Sequence, residues 1–144
     1  MDEDDLALLE VVASPSRRRV LALLEKGIDH PEELAKKLKL RRQGIDKQLM
    51  QLYEWGLVDR SAILPVGGRP RIVYRISERG RDFLSRAHSL VNEYRETVRS
   101  DHQASLSALE NKLAAGDLDE SAYMKRRQEL ERRYSRLLAG GAVQ

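Results

Sequence analysis

The middle of this 144-residue chain carries an excess of arginine side chains. Residues 41–81 contain nine basic and four acidic residues, a net charge of +5, whereas residues 1–40 sum to −2 and residues 82–144 to zero. Eight of the nine basic residues are arginine, whose planar guanidinium forms paired hydrogen bonds with phosphate and with guanine. The cluster predicts a surface for a polyanion such as double-stranded DNA. A solvated charged face is the alternative interpretation.

One group of candidate DNA-binding side chains stands at the start of a helix predicted over residues 41–55. The apolar residues of this segment recur at helical spacing, which buries one face and leaves the other outward. The outward candidates are Arg41, Arg42, Gln43, Gly44, Asp46 and Lys47. Arginine can read guanine and glutamine can read adenine in the major groove, and a glycine lets the backbone approach closely. Two cations at a helix N-terminus oppose the helix dipole, so their presence there indicates an anionic partner.

A second group lies in the glycine- and proline-rich segment 64–72. Its triplet Gly68-Arg69-Pro70 resembles the core of AT-hook peptides, which lie in narrow A·T-rich minor grooves. A narrow minor groove concentrates negative potential, so Arg69 is predicted to enter it while Arg71 meets phosphate. An ordinary solvated turn is the alternative. Arg17 is a further candidate for a phosphate contact, and its alternative role is to cover apolar surface.

Several classes of chemistry find no support in the sequence. There is no cysteine, so disulfides and thiolate metal sites are excluded. The three histidines are dispersed: His30 fits a helix cap, and His88 and His102 are expected at a surface or interface rather than at a metal. No phosphate-binding glycine loop, metal-spaced His/Glu motif or Ser-His-Asp set is present, so we expect no enzyme and no cofactor. The acidic start and the short apolar runs predict a cytoplasmic protein without membrane contact.

The elements that position these residues follow from periodicity and caps. Helices are predicted from about 4 to 13, from Ser14-Pro15 to Gly27, from His30-Pro31, and from about Arg41 to Trp55. The period then changes to two. In the segment 71–76, Ile72, Tyr74 and Ile76 alternate with Arg71, Val73 and Arg75. Residues 57–77 are therefore predicted to form a β-hairpin, after which Ser77 caps a long helix.

The order of these pieces resembles a known family of regulators. Val11 to Leu24 is similar to the opening helix of ArsR-like transcriptional regulators, and Glu33 to Leu38 with Ile45, Leu49, Leu52 and Gly56-Leu57-Val58 looks like their helix-turn-helix. Gly68 to Arg71 with Tyr74 to Gly80 is similar to the wing of ArsR-like and MarR-like regulators. The resemblance covers about residues 5–85 and implies a winged helix-turn-helix that binds DNA.

The sequence departs from that family at the turn and at the start of the recognition helix. Lys39 stands where the family usually has glycine, so a lysine must hold an unfavourable turn. Arg41-Arg42-Gln43 replaces the family's small Ser/Thr residues, so no base preference transfers from relatives. Metal sensors of the family use cysteines, and this chain has none. The effector is left open.

The C-terminal part predicts a helical arm that dimerises. A helix over about 78–114 carries a short apolar stripe at heptad spacing. The predicted dimer-interface residues are Leu84, Val91, Tyr94 and Val98. Packing against the chain's own first helix is the alternative, and both can hold. Residues 106–138 resemble a SHOCT-type helical segment, which implies oligomerisation or partner contact, and residues 140–144 are expected to be disordered.

The sequence therefore predicts a mostly α fold with a small β-hairpin: a winged helix-turn-helix followed by a long C-terminal helical arm. The predicted division is a DNA-binding domain over 1–81, an arm over 82–139 and a tail over 140–144. The function predicted is that of a homodimeric transcriptional regulator that reads the major groove with helix 41–55 and the minor groove or backbone with wing 64–72. The alternatives are an architectural DNA-binding protein of the nucleoid type and a winged helix for protein–protein contact.

Overall fold

The computed structural model describes residues 1–139. Its elements are α1 (Glu3–Ala13), α2 (Pro15–Glu25), α3 (Pro31–Leu38), α4 (Arg42–Glu54), β1 (Val58–Ile63), β2 (Arg71–Ile76), α5 (Glu78–Ala114) and α6 (Glu120–Ala139). The two strands form one antiparallel hairpin. The predicted fold class, a winged helix-turn-helix followed by C-terminal helices, is confirmed. The tail predicted to be disordered lies outside the described residues.

The chain divides into two compact units, Met1–Ser85 and the part from Arg86 onward. The domain boundary predicted after residue 81 falls inside α5. Among the described residues no helix combines the length and apolar character needed to cross a membrane.

Capping side chains stand at the starts of five helices, among them α2, α3 and α5, whose caps the sequence predicted. The Ser14 hydroxyl accepts from the Arg17 amide at the start of α2, and the His30 Nδ1 accepts from the Glu32 amide, 3.2 Å away, at the start of α3. The buried Ser77 hydroxyl accepts from the Gly80 amide at 2.9 Å and donates to the Gly56 carbonyl at 2.7 Å. These bonds satisfy amides that a helix start leaves unpaired. The predicted caps are confirmed.

The turn between α3 and α4 contains Lys39 at the position where ArsR-like regulators usually have glycine. Lys39 has φ +55° and ψ +41° and is the non-glycine residue with positive φ in the described chain. The Leu40 amide donates to the Ala35 carbonyl at 3.0 Å, which closes the end of α3 with a Schellman-type bond. The lysine therefore holds the backbone conformation that favours glycine.

The first unit is built around one apolar core under α4. Residues buried in it come from all four N-terminal helices, the start of β1 and the end of β2. They are Val11, Val20, Leu21, Leu24, Leu34, Ala35, Ile45, Leu49, Leu52, Leu57, Val58, Tyr74 and Ile76. Leu84, at the start of α5, is partly buried against the same cluster. The core fixes α4 by its inner face and leaves its outer face free.

Strand β2 does not follow the simple alternation predicted from the sequence. Tyr74 and Ile76 are buried as expected, but Ile72 is 50% exposed and Val73 is 2% exposed. Both α2 and α3 contact β2, and the Tyr74 amide donates to the Asp29 carbonyl at 2.9 Å. The strand is therefore covered from more than one side where it meets the helices, whereas its outer end stands free. The one-sided assignment of Ile72 and Val73 was wrong for that reason.

The second unit contains the rest of α5 and α6, joined by a polar and aromatic contact. The His102 Nε2 lies 3.2 Å from Glu131 Oε1, and the His102 ring lies 4.9 Å from the Tyr134 ring. Tyr123 and Tyr134 are each 9% exposed. These contacts place the last turns of α6 beside the middle of α5.

The four residues of α5 that were predicted to form a dimer interface differ in exposure. Leu84 packs on the core of the first unit, and Val98 is only 6% exposed within the single chain. Val91 and Tyr94 are 46% and 61% exposed, and Leu90 beside them is 67% exposed. Val98 is therefore buried within the chain rather than displayed on a free surface. The exposed apolar patch on α5 consists of Leu90, Val91 and Tyr94.

Candidate nucleic-acid interface

The outer face of α4 is polar and exposed along its first two turns. Ile45, Leu49 and Leu52 are fully buried beneath it. The sequence candidates are all exposed here, namely Arg41, Arg42, Gln43, Gly44, Asp46 and Lys47. Since the buried residues fix the rotation of the helix, Gln43 and Lys47, one turn apart, point most directly away from the core.

Arg42 is held by two carboxylates. Its Nε donates to Asp46 Oδ1 at 3.0 Å, one helical turn further on. One of its terminal nitrogens lies 3.5 Å from Glu32 Oε1, which comes from the first turn of α3. All three side chains are substantially exposed. Arg42 thus forms ion pairs with one carboxylate of α3 and one of α4.

The side chain of Arg41 and the space over Gly44 are both open at the start of α4. Arg41 is the N-cap residue of α4 and its side chain makes no capping bond. Gly44 has ordinary helical φ, and a Cβ built on it meets no atom within 4 Å. The open space over Gly44 is a place where another molecule can approach the backbone of α4.

The wing is the loop between β1 and β2, and all its side chains are exposed. Ile63 pairs with Arg71 at the end of the ladder. At the tip, the Gly68 amide donates to the Pro65 carbonyl at 3.2 Å, and Gly67 has φ +76°, which a type II turn requires of its third residue. The segment from Arg60 to Ser77 contains four arginines and no acidic residue. The wing therefore carries positive charge on both sides of a hydrogen-bonded β-turn.

The wing and the start of the helix-turn-helix border a common groove of about 400 Å³. Its lining residues are His30, Glu32, Arg42, Arg69, Pro70, Arg71 and Ile72. The structure thus brings Arg42, from the start of α4, beside Arg69 and Arg71 of the wing, although almost thirty residues separate them in the chain. Glu32 is the acidic residue in the lining of this groove, and it was not predicted as a site residue from the sequence.

Arg17 differs from the other candidates because it is half-buried and its guanidinium bonds to backbone carbonyls and to a residue of α4. It donates to the Val11 carbonyl and to Gln51 Oε1, each at 2.6 Å, and to the Glu10 carbonyl at 3.3 Å. These bonds tie the end of α1 to α4. Local sequence contains no signal for this role, because Gln51 is 34 residues away. The arrangement supports a positioning role for Arg17 in place of the predicted phosphate contact.

Within residues 1–139 no group of three or more His, Asp or Glu side chains is arranged to hold a metal ion. His88 contacts Asn92 on its own helix, and His102 contacts Glu131. The two histidines on α5 therefore have protein partners of their own.

Comparison with known proteins supports the fold. No protein-family model matches the sequence, and no curated protein matches it significantly. Diamide-treated YodB from B. subtilis aligns with a TM-score of 0.55 at 12% identity, over 62% of this chain and 88% of that one. A possible transcriptional regulator from Methanosarcina mazei Go1 aligns with a TM-score of 0.43 at 20% identity, over 67% of this chain and 88% of that one. Bacillus subtilis PadR in complex with operator DNA aligns with a TM-score of 0.41 at 15% identity, over 85% of this chain and 95% of that one.

Proposed function

We propose that the protein is a homodimeric transcriptional regulator that binds double-stranded DNA. The outer face of α4 enters the major groove, and the wing follows the adjacent minor groove or its backbone. The observation that carries the proposal is that the exposed Arg42, from the start of α4, and the exposed Arg69 and Arg71, from the wing, line one groove of a winged helix-turn-helix. None of the three is drawn into the core, so all remain available to an anionic partner.

The proposal assigns each residue a different contact. Gln43 and Lys47, which lie opposite the buried face of α4, would reach base edges. Arg41 and Arg71 would meet phosphates, and Arg69 would enter the minor groove. Gly44 leaves room for the duplex to approach the backbone.

Dimerisation completes the proposal. The patch Leu90–Val91–Tyr94 is an exposed apolar surface on a long helix, and such surfaces commonly mark interfaces. Two-fold pairing through α5 would present two α4 helices to two half-sites of a palindromic operator. The ArsR-like and SHOCT-like resemblances and cytoplasmic location remain predictions from the sequence.

The decisive experiment is selection of bound duplexes from a random pool, followed by titration of the best sequence and of mixed-sequence DNA. A regulator should prefer its selected site by about 10³-fold or more. A ratio close to one at high affinity would favour the architectural alternative. Absence of any salt-dependent binding would overturn the proposal and favour a module for protein–protein contact.

Substitution of Gln43 by alanine is expected to relax preference at one base position of the selected site. Loss of a side chain that reads a base edge costs about 1–3 kcal/mol of discrimination at that position. The measurement is the affinity for a panel of duplexes that differ at single positions. Gln103→Ala, an exposed glutamine on α5, is the matched control and should leave the panel unchanged. Equal loss on every duplex would mean that Gln43 contacts only the DNA backbone.

Substitution of the two wing arginines is expected to have distinguishable effects. Arg69→Ala should weaken binding most on A·T-rich flanks, because a narrow minor groove attracts arginine. Arg71→Ala should weaken binding on all flanks and lower the salt slope by about one unit, because it removes one phosphate contact. Titrations at several salt concentrations on A·T-rich and G·C-rich flanks measure both. Arg127→Ala is the control, because it removes the same charge from α6, which contributes no residue to the proposed interface. Unchanged binding by Arg69→Ala on both kinds of flank would mean that the wing does not contact DNA.

A further inference from the structure

The groove between the first turn of α3 and the wing contains charges of both signs. Arg42, Arg69 and Arg71 line it, and so does Glu32, whose side chain is 75% exposed. A carboxylate on a surface for DNA repels phosphate, so its presence there needs a reason. The contact that it makes is with Arg42, at 3.5 Å.

The groove lies between α4 and the wing, where the sugar–phosphate strand of a bound duplex would pass. If α4 lies in the major groove and the wing in the neighbouring minor groove, one sugar–phosphate strand separates the two. That strand must cross the protein between α4 and the wing, where this groove lies. Phosphates of the strand would then meet the three arginines at the position that Glu32 now shares.

We propose that this groove seats the phosphodiester strand between the two DNA grooves, and that Glu32 lowers affinity by competing with phosphate for Arg42. The inference rests on the proposed function and adds an interaction surface and a regulating residue to it. Asp46 keeps hold of the Arg42 Nε, so the guanidinium stays in place while its terminal nitrogens exchange one acceptor for another. An exposed ion pair is weak because water screens it, so phosphate can displace Glu32 readily.

A double-mutant cycle tests the competition. The probe is a fluorescein-labelled duplex of mixed sequence and about 30 bp, titrated between about 50 and 200 mM salt, because phosphate contacts do not depend on sequence. The full-length chain is compared with Glu32→Gln, Arg42→Ala and the double variant. Glu32→Gln is expected to bind about fivefold more tightly, with a salt slope steeper by about one unit, since one more phosphate is neutralised. In the Arg42→Ala background the gain should disappear.

Glu33→Gln is the matched control, because it makes the same charge change one residue further along α3 and does not line the groove. It should give a smaller gain that persists when Arg42 is alanine. The inference is overturned if Glu32→Gln leaves affinity unchanged, or if its gain is equally large in the Arg42→Ala background. If the unmodified chain binds no duplex, the proposed function itself is overturned. This result differs from a cycle in which Glu32→Gln has the same effect with and without Arg42, which overturns only the competition.

Discussion

Replacing Gly80 by alanine is expected to lower the free energy of unfolding of the first unit by about 3 kcal/mol. A Cβ built on Gly80 would lie 2.2 Å from the Leu57 carbonyl oxygen and 2.9 Å from its carbon. That carbonyl accepts a hydrogen bond from the Ser77 amide at 3.0 Å, so it cannot move without breaking that bond. The overlap is with backbone, which yields less easily than the end of a flexible side chain.

Thermal unfolding followed by the fluorescence of Trp55, the single tryptophan, measures this effect in the first unit. A loss of about 3 kcal/mol corresponds to a Tm lower by about 10–20 °C for a domain of this size. Gly44→Ala is the matched control for stability, since its Cβ meets open space in an ordinary helical conformation. It should raise stability by about 0.5–1 kcal/mol. Equal Tm values for the two variants would contradict the close packing of α5 against the start of β1.

Substitution of Val91 by glutamate is expected to dissociate the proposed dimer and to weaken binding to a duplex with two half-sites by about 10²-fold or more. A carboxylate in the patch Leu90–Val91–Tyr94 would be buried at the interface without a partner. The monomer would then lose the advantage of binding two linked half-sites. Sedimentation at micromolar concentration and titration of two-site and one-site duplexes measure the two effects.

Ser89→Glu is the matched control for dimerisation. Ser89 is exposed on the same helix, two residues earlier, and points away from the patch. The variant should remain dimeric and keep its affinity for the two-site duplex. If the unmodified chain sediments as a monomer, or if Val91→Glu is dimeric, the patch on α5 is not the dimer interface.

Local patterns in the sequence were sufficient for the elements and their ends. Ser14, His30 and Ser77 cap helices because a short polar side chain one position before a helix can bond an unpaired amide of its first turn. The long helix was predicted over 78–114, and α5 has those bounds. The exposure of Gln43 and Lys47 also follows from helical spacing alone, because three buried apolar residues set the rotation of α4.

The candidate site depends on contacts between residues that are distant in the chain. The ion pair between Glu32 and Arg42 forms because the Lys39 turn brings the first turn of α3 beside the start of α4. The wing joins the same groove only because the hairpin docks on α2 and α3. Neither Glu32 nor the groove can be recognised from spacing, since nothing in a local segment encodes which surfaces will meet.

The sequence by itself determined the helices, the hairpin, the caps and the basic character of the middle segment, because these depend on interactions within a few residues and on composition. Only the tertiary structure decided that Arg17 bonds to Gln51, that Val73 is buried while Ile72 is exposed, and that Val98 is withdrawn from the apolar stripe. Each of these outcomes depends on which side of an element another element covers. Periodicity identifies the apolar face of a helix or strand, but packing determines which of its residues are buried.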